Sequence, residues 1–166
     1  LLTRDEDAMD IHQPLLIWWA LEKNIAGVDV SQLIQAILSG ERTWHRPLVS
    51  GTILERWMKR YAMTGRREDL MSAAKLLAAA PDRDSSEILL KGFEEAFQGR
   101  SLASIPDAMA AAIAASGGGS LALRLRQGQA EAIAEATSRL RSSESKPAEK
   151  RQLIEILGQA GHMEAL

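Results

Sequence analysis

Pro47-Leu48-Val49-Ser50-Gly51-Thr52-Ile53-Leu54-Glu55-Arg56-Trp57-Met58-Lys59-Arg60-Tyr61-Ala62-Met63-Thr64-Gly65 is the stretch that decides the fold class. Val49, Ile53, Trp57 and Tyr61 step by four, and Leu54 and Met58 widen them into one apolar stripe at helical spacing. Pro47 suits a first turn, where its missing N–H costs nothing, and Gly65 is a C-terminal stop. Arg56, Lys59 and Arg60 fall on the neighbouring face.

The same punctuation by Gly, Pro and capping residues recurs on both sides. Upstream, Asp10 caps a helix expected from about Ile11 to Lys23, with Pro14 in its first turn and apolar residues on every face, a pattern of buried helices. A second helix is expected from about Val30 to Leu38, stopped by Gly40. Downstream, helices are expected over about Glu68–Ala80, Ser85–Gln98 and Pro106–Ala115, then Leu121–Gln127, Ala130–Arg141 and Ala148–Leu157. Residues 116–120, Ser-Gly-Gly-Gly-Ser, read as a flexible linker, and Ser142 to Lys146 as a loop stopped by Pro147.

Composition agrees with helix. Aromatics are 4% of the 166 residues, and the alternation of β-branched residues that marks strands is missing nearly everywhere. Net charge is −2, so no global field draws the chain to nucleic acid or an anionic membrane. With no cysteine, disulfides, thiolate chemistry and thioether haem attachment are excluded within these residues. The apolar run Leu15 to Leu21 has seven residues where a membrane span needs about twenty. Leu1 at one end and a helix just starting at Met163–Leu166 at the other read as cuts in a larger protein.

Gly40, Gly65, Gly99, Gly128 and Gly158 each follow an apolar helix, at intervals of 25, 34, 29 and 30 residues. Each interval accommodates two short antiparallel helices, a unit that must stack on neighbours to bury its apolar face. The expected fold is therefore all-α, a HEAT-like α-α superhelix of about eight or nine short helices forming one domain over 1–166; a compact irregular bundle satisfies the same requirement.

Ile156-Leu157-Gly158-Gln159-Ala160-Gly161-His162-Met163-Glu164-Ala165-Leu166 looks like a junction between HEAT-type repeats. Asp10-Ile11-His12-Gln13-Pro14-Leu15-Leu16-Ile17-Trp18-Trp19-Ala20-Leu21-Glu22 resembles the helical-repeat region of planctomycete-type multidomain haem-binding, membrane-bound-dehydrogenase proteins. That resemblance implies a parent chain that also holds a sugar-dehydrogenase-like β-propeller and a c-type cytochrome, in an exported, periplasmic location. Only the helical region would correspond to these residues, and without cysteine they hold no covalent haem.

Catalytic patterns are sparse. From Asp5, a calcium loop would need Gly and Glu where Asp10 and Leu16 stand. His12, His45 and His162 lie far apart without metal-ligand spacing, so no metal and no cofactor is expected. No G-x-S-x-G elbow or phosphate loop is present. Glu22 beside Trp18 and Trp19 makes a secondary candidate site, because an apolar setting raises a carboxyl pKa toward acid catalysis; no partner acid is evident, and a Glu at the solvated end of a buried helix is the favoured explanation.

Between Glu41 and Arg67 stand seven Lys or Arg against two acids, interleaved with Trp44, His45 and Trp57. Such a ridge suits an acidic protein surface or phosphates and stacked bases. The same pattern also fits Trp44 in a turn, Trp57 in the core and Arg56, Lys59 and Arg60 on a solvated face. The expectation is a non-enzymatic scaffold or docking module that uses Trp44, Arg46, Arg56, Trp57 and Arg60, its partner a neighbouring domain of the parent chain or another protein. Excised end faces would favour dimerisation. The alternative is a nucleic-acid-binding HEAT-like repeat of the DNA-repair glycosylase kind, whose binding would fall steeply with salt.

Overall fold

The computed structural model describes residues 2–25, 27–98, 102 and 105–162. Among them the secondary structure is entirely helical. The α-helices are α1 (Gln13–Ile25), α2 (Val30–Ile37), α3 (Glu41–Trp44), α4 (Leu54–Thr64), α5 (Arg67–Ala78), α6 (Arg83–Ala96), α7 (Asp107–Ala115), α8 (Leu121–Arg126), α9 (Ala130–Arg141) and α10 (Pro147–Gln159). A 3-10 turn at Asp5–Met9 precedes α1, and a π-helical turn at Val49–Ile53 leads into α4. The chain forms two compact units: Leu1–Ala96 with Ile105–Ser116, and Phe97–Ser104 with Gly117–Leu166. The second boundary falls at the start of the glycine run, where Gly117, Gly118 and Gly119 take φ of 90°, 82° and 75°.

The first unit is organised around the stripe at 49–61. Val49, Ile53, Leu54, Trp57, Met58 and Tyr61 are all buried, and Gly65 closes α4 in the left-handed conformation at φ 65° that a side chain resists. α4 packs on α6 and α5 on α7, with further contacts of α5 to α4 and α2. Leu70, Leu76 and Leu77 of α5, Leu89 and Phe93 of α6 and Met109 and Ile113 of α7 complete the core, each contributing about 1.5–3 kcal/mol by leaving water.

The α4–α6 crossing is unusually close because α6 presents Gly92 to α4. A Cβ at Gly92 would overlap the carbonyl oxygen of Glu55 and stand only 3.0 Å from its carbonyl carbon. Two reciprocal ion pairs straddle the crossing, Lys91 to Glu55 at 2.7 Å and Lys59 to Glu95 at 2.9 Å. Asp82 starts α6 by accepting the Ser85 N–H at 2.8 Å and also pairs with His45 at 2.9 Å.

The second unit has its own core, Leu125, Ala132, Ala136, Leu153, Ile156 and Leu157, where α10 packs on α8 and α9. Glu135 accepts from Arg124 and Arg139, and Arg139 reaches on to Glu149, tying the three helices at their rim. Gly158 lies inside α10; the turn glycine is Gly161, at φ 80°. Gly40 likewise opens α3 instead of ending α2, so two of the five glycines in the expected repeat are not helix stops. Gly99 and residues 163–166, used in the repeat and junction expectations, lie outside the described residues.

Candidate functional site

α1 is held from both sides of its sequence signal. The Asp10 carboxylate accepts the His12 and Gln13 N–H groups at 2.8 Å each, which lowers its pKa. Ile17, Trp18 and Ile25 turn inward, and Glu22 pairs with Arg60 of α4 at 3.0 Å. The helix was expected to be buried all round, and it is not. With Ile17 and Trp18 filling the inward arc, Trp19 lies a further 100° round the helix and faces out, 55% exposed. Leu16 is 51% exposed, and Leu16, Trp19, Ala20 and Lys23 recur at the i, i+3, i+4 and i+7 spacing of one surface strip, all on the solvent side. Met9 and Ile11, just ahead of the helix, are almost wholly exposed.

The expected ridge at Trp44–Arg60 is not a surface of aromatics. Trp57 is 1% exposed in the stripe of α4, and Trp44, closing α3, is buried as well. Neither can reach a partner without unfolding its surroundings. Arg46 donates to the Thr3 carbonyl at 3.1 Å and pairs with Asp5 at 3.3 Å, fastening the N-terminal turn. Arg60 is engaged by Glu22, Lys59 by Glu95 and Arg66 by Asp69, whereas Arg56 is exposed and has no ion-pair partner among the described residues. Four of the seven positive charges counted in the sequence, Arg46, Lys59, Arg60 and Arg66, are thus paired with acids outside the 41–67 segment.

The second candidate group separates in the same way: Trp18 is core, Trp19 is surface and Glu22 is committed to Arg60, so the three do not form one catalytic pocket. No group of three His, Asp or Glu side chains among the described residues converges as a metal site would require. Among the same residues, no helix is long and apolar enough to cross a membrane. Leu16, Met9 and Ile11 were missed by sequence reasoning; an apolar residue on every face of α1 was the available signal, since a helix with only one neighbouring side leaves a second apolar strip uncovered.

The chain matches no protein-family model, no curated protein and no solved structure.

Proposed function

We propose that this protein is a non-catalytic helical docking module, and that the strip Leu16–Trp19–Ala20–Lys23 on α1 receives another protein. The carrying observation is the exposure of Trp19. A tryptophan half in water beside an exposed leucine one turn away is the kind of anchor that dominates binding energy at interfaces. The partner surface is an apolar helix face bearing a carboxylate. Lys23 ends the strip and His12 precedes it in sequence, while Glu22, beside Lys23 in the chain, is paired with Arg60.

The helical-hairpin reading of the fold is supported within the first unit by the alternation in which α4 meets α6 and α5 meets α7. Placement of the module in a redox multidomain protein rests only on the resemblance at residues 10–22 and 156–166. A nucleic-acid partner is disfavoured by the net charge of −2 and by the pairing of Arg46, Lys59, Arg60 and Arg66.

The test is a photo-reactive residue at position 16 in the native organism, followed by reconstitution with the purified crosslinked protein. Saturable binding that Trp19→Ser weakens while the fold persists supports the proposal. Crosslinks that join only copies of this chain, or binding indifferent to Trp19→Ser, would overturn it.

A further inference from the structure

The exposed face of α1 matches the surface it is built to receive. His12, Leu16, Trp19, Ala20 and Lys23 fall within about 100° of arc at the 100° per residue of a helix, and all five are exposed. His12 keeps the same register, since its carbonyl accepts the Leu16 N–H at 3.0 Å. The face is apolar in the middle and charged at its ends. Asp10 stands at the start, exposed, its carboxylate fixed by the N–H groups of Gln13 and His12. Lys23 stands in the last turn and has no ion-pair partner among the described residues. Leu16 and Trp19 lie between them, with Ala20 too small to hold a neighbouring helix away. An apolar helix face bearing a carboxylate is what this strip fits, and a second copy of α1 presents one.

A two-fold pair of identical helices is either parallel or antiparallel. The parallel arrangement sets Asp10 beside Asp10 and Lys23 beside Lys23, like charge against like, with the helix dipoles aligned. The antiparallel arrangement removes both conflicts. With Leu16 level with Trp19 of the second copy, Lys23 comes level with His12 of that copy, two residues from its Asp10. The spacing makes this reciprocal: His12 precedes Leu16 by four residues and Lys23 follows Trp19 by four, so both pairings form together and each forms twice.

We infer that two copies of this chain pair reversibly through α1, antiparallel about a two-fold axis, whenever no other protein holds the strip. The inference rests on the docking reading of α1 and adds its regulation, because self-pairing and partner binding compete for Trp19. The contact is small. α1 has 13 residues and is about 20 Å long and about 10 Å across, so its face offers on the order of a few hundred Å² per copy, below the ~800 Å² per partner of a standard interface. A pair of this size belongs to the weak, exchanging class, which covers the apolar strip and still yields it to a tighter partner.

The experiment is sedimentation velocity on the intact protein from about 5 to about 500 µM, a span that reveals weak pairing. A dimer fraction that rises with concentration is expected. Trp19→Ser, with its helicity shown unchanged by circular dichroism, should weaken pairing at least about tenfold. Lys23→Glu and His12→Lys should each weaken it roughly threefold, the first by facing Asp10 with a like charge and the second by facing Lys23 with another cation. The double variant His12→Lys, Lys23→Glu should pair as tightly as the parent, because only the antiparallel arrangement brings positions 12 and 23 together. A monomer at every concentration, pairing indifferent to Trp19→Ser, or a double variant no tighter than either single one would overturn the inference. Since the purified chain alone is measured, a monomer would leave the docking proposal standing, whereas crosslinks confined to copies of the chain would remove that proposal and leave the pairing standing.

Discussion

Gly92→Ala tests the packing of the first unit at its tightest point. Alanine is the better helix former by about 0.8–1.0 kcal/mol, so local propensity alone predicts a more stable protein. The crossing predicts the opposite. The new methyl would occupy the space of the Glu55 carbonyl, a backbone group that cannot rotate away, so α6 must retreat by roughly 1 Å to restore the ~3.3 Å that a carbon–oxygen contact needs. That retreat loosens Phe93 and Leu89 against the α4 stripe and lengthens the Lys91–Glu55 and Lys59–Glu95 pairs. Because the clash is with backbone, the upper part of the overpacking range applies, about 2–3 kcal/mol, which against the propensity gain leaves a net loss of about 1–2 kcal/mol. Urea unfolding followed by tryptophan fluorescence is the assay, since Trp18, Trp19, Trp44 and Trp57 all lie in the first unit. Gly51→Ala is the control, because a Cβ there meets nothing within 4 Å. A Gly92→Ala protein as stable as the parent, or more so, would refute the close crossing.

Further outcomes follow from the same geometry. Trp57→Ala should cost about 3–5 kcal/mol in the same urea experiment, whereas Trp19→Ser should stay within about 1 kcal/mol, its side chain being half in solvent. Acrylamide should quench Trp19 far more than the three buried tryptophans, so Trp19→Phe should remove most of the quenchable emission. The pH profile has a definite sign at the α4–α6 clamp. The Lys59 hydrogen bond holds Glu95 below the usual carboxylate range, so its contribution is full above about pH 4.3 and is lost as pH falls through the lowered pKa. The Glu55 hydrogen bond raises Lys91, so that pair contributes below about pH 10.4 and is lost as pH rises through the raised value. Thermal midpoints measured across pH should therefore show a plateau between these limits, and Glu95→Gln should flatten its acid side.

Much of the fold was legible because long periodic segments declare themselves. α9 lies at Ala130–Arg141, where the periodicity placed it, and the six apolar residues of the 49–61 stripe are all buried. What was not legible has a physical cause in each case. Four residues, Glu41–Trp44, are too few to show a period, and the π turn at Val49–Ile53 shifts one hydrogen-bond register without disturbing the spacing of the stripe. Charge density misled where partners came from afar: Arg46 meets Asp5 and Arg60 meets Glu22, pairings that local counting along 41–67 does not see. The candidate surface was half visible, since Trp18 and Trp19 were picked out together but only the packing of α1 decides which one faces water.

The docking account is tested most directly by the affinity of the reconstituted partner for the parent protein and for Trp19→Ser, measured by titration calorimetry with the variant shown to be folded. A loss of about 2 kcal/mol or more, roughly thirtyfold, is predicted for an interface anchored on that indole. Unchanged affinity would contradict it and remove α1 as the docking face.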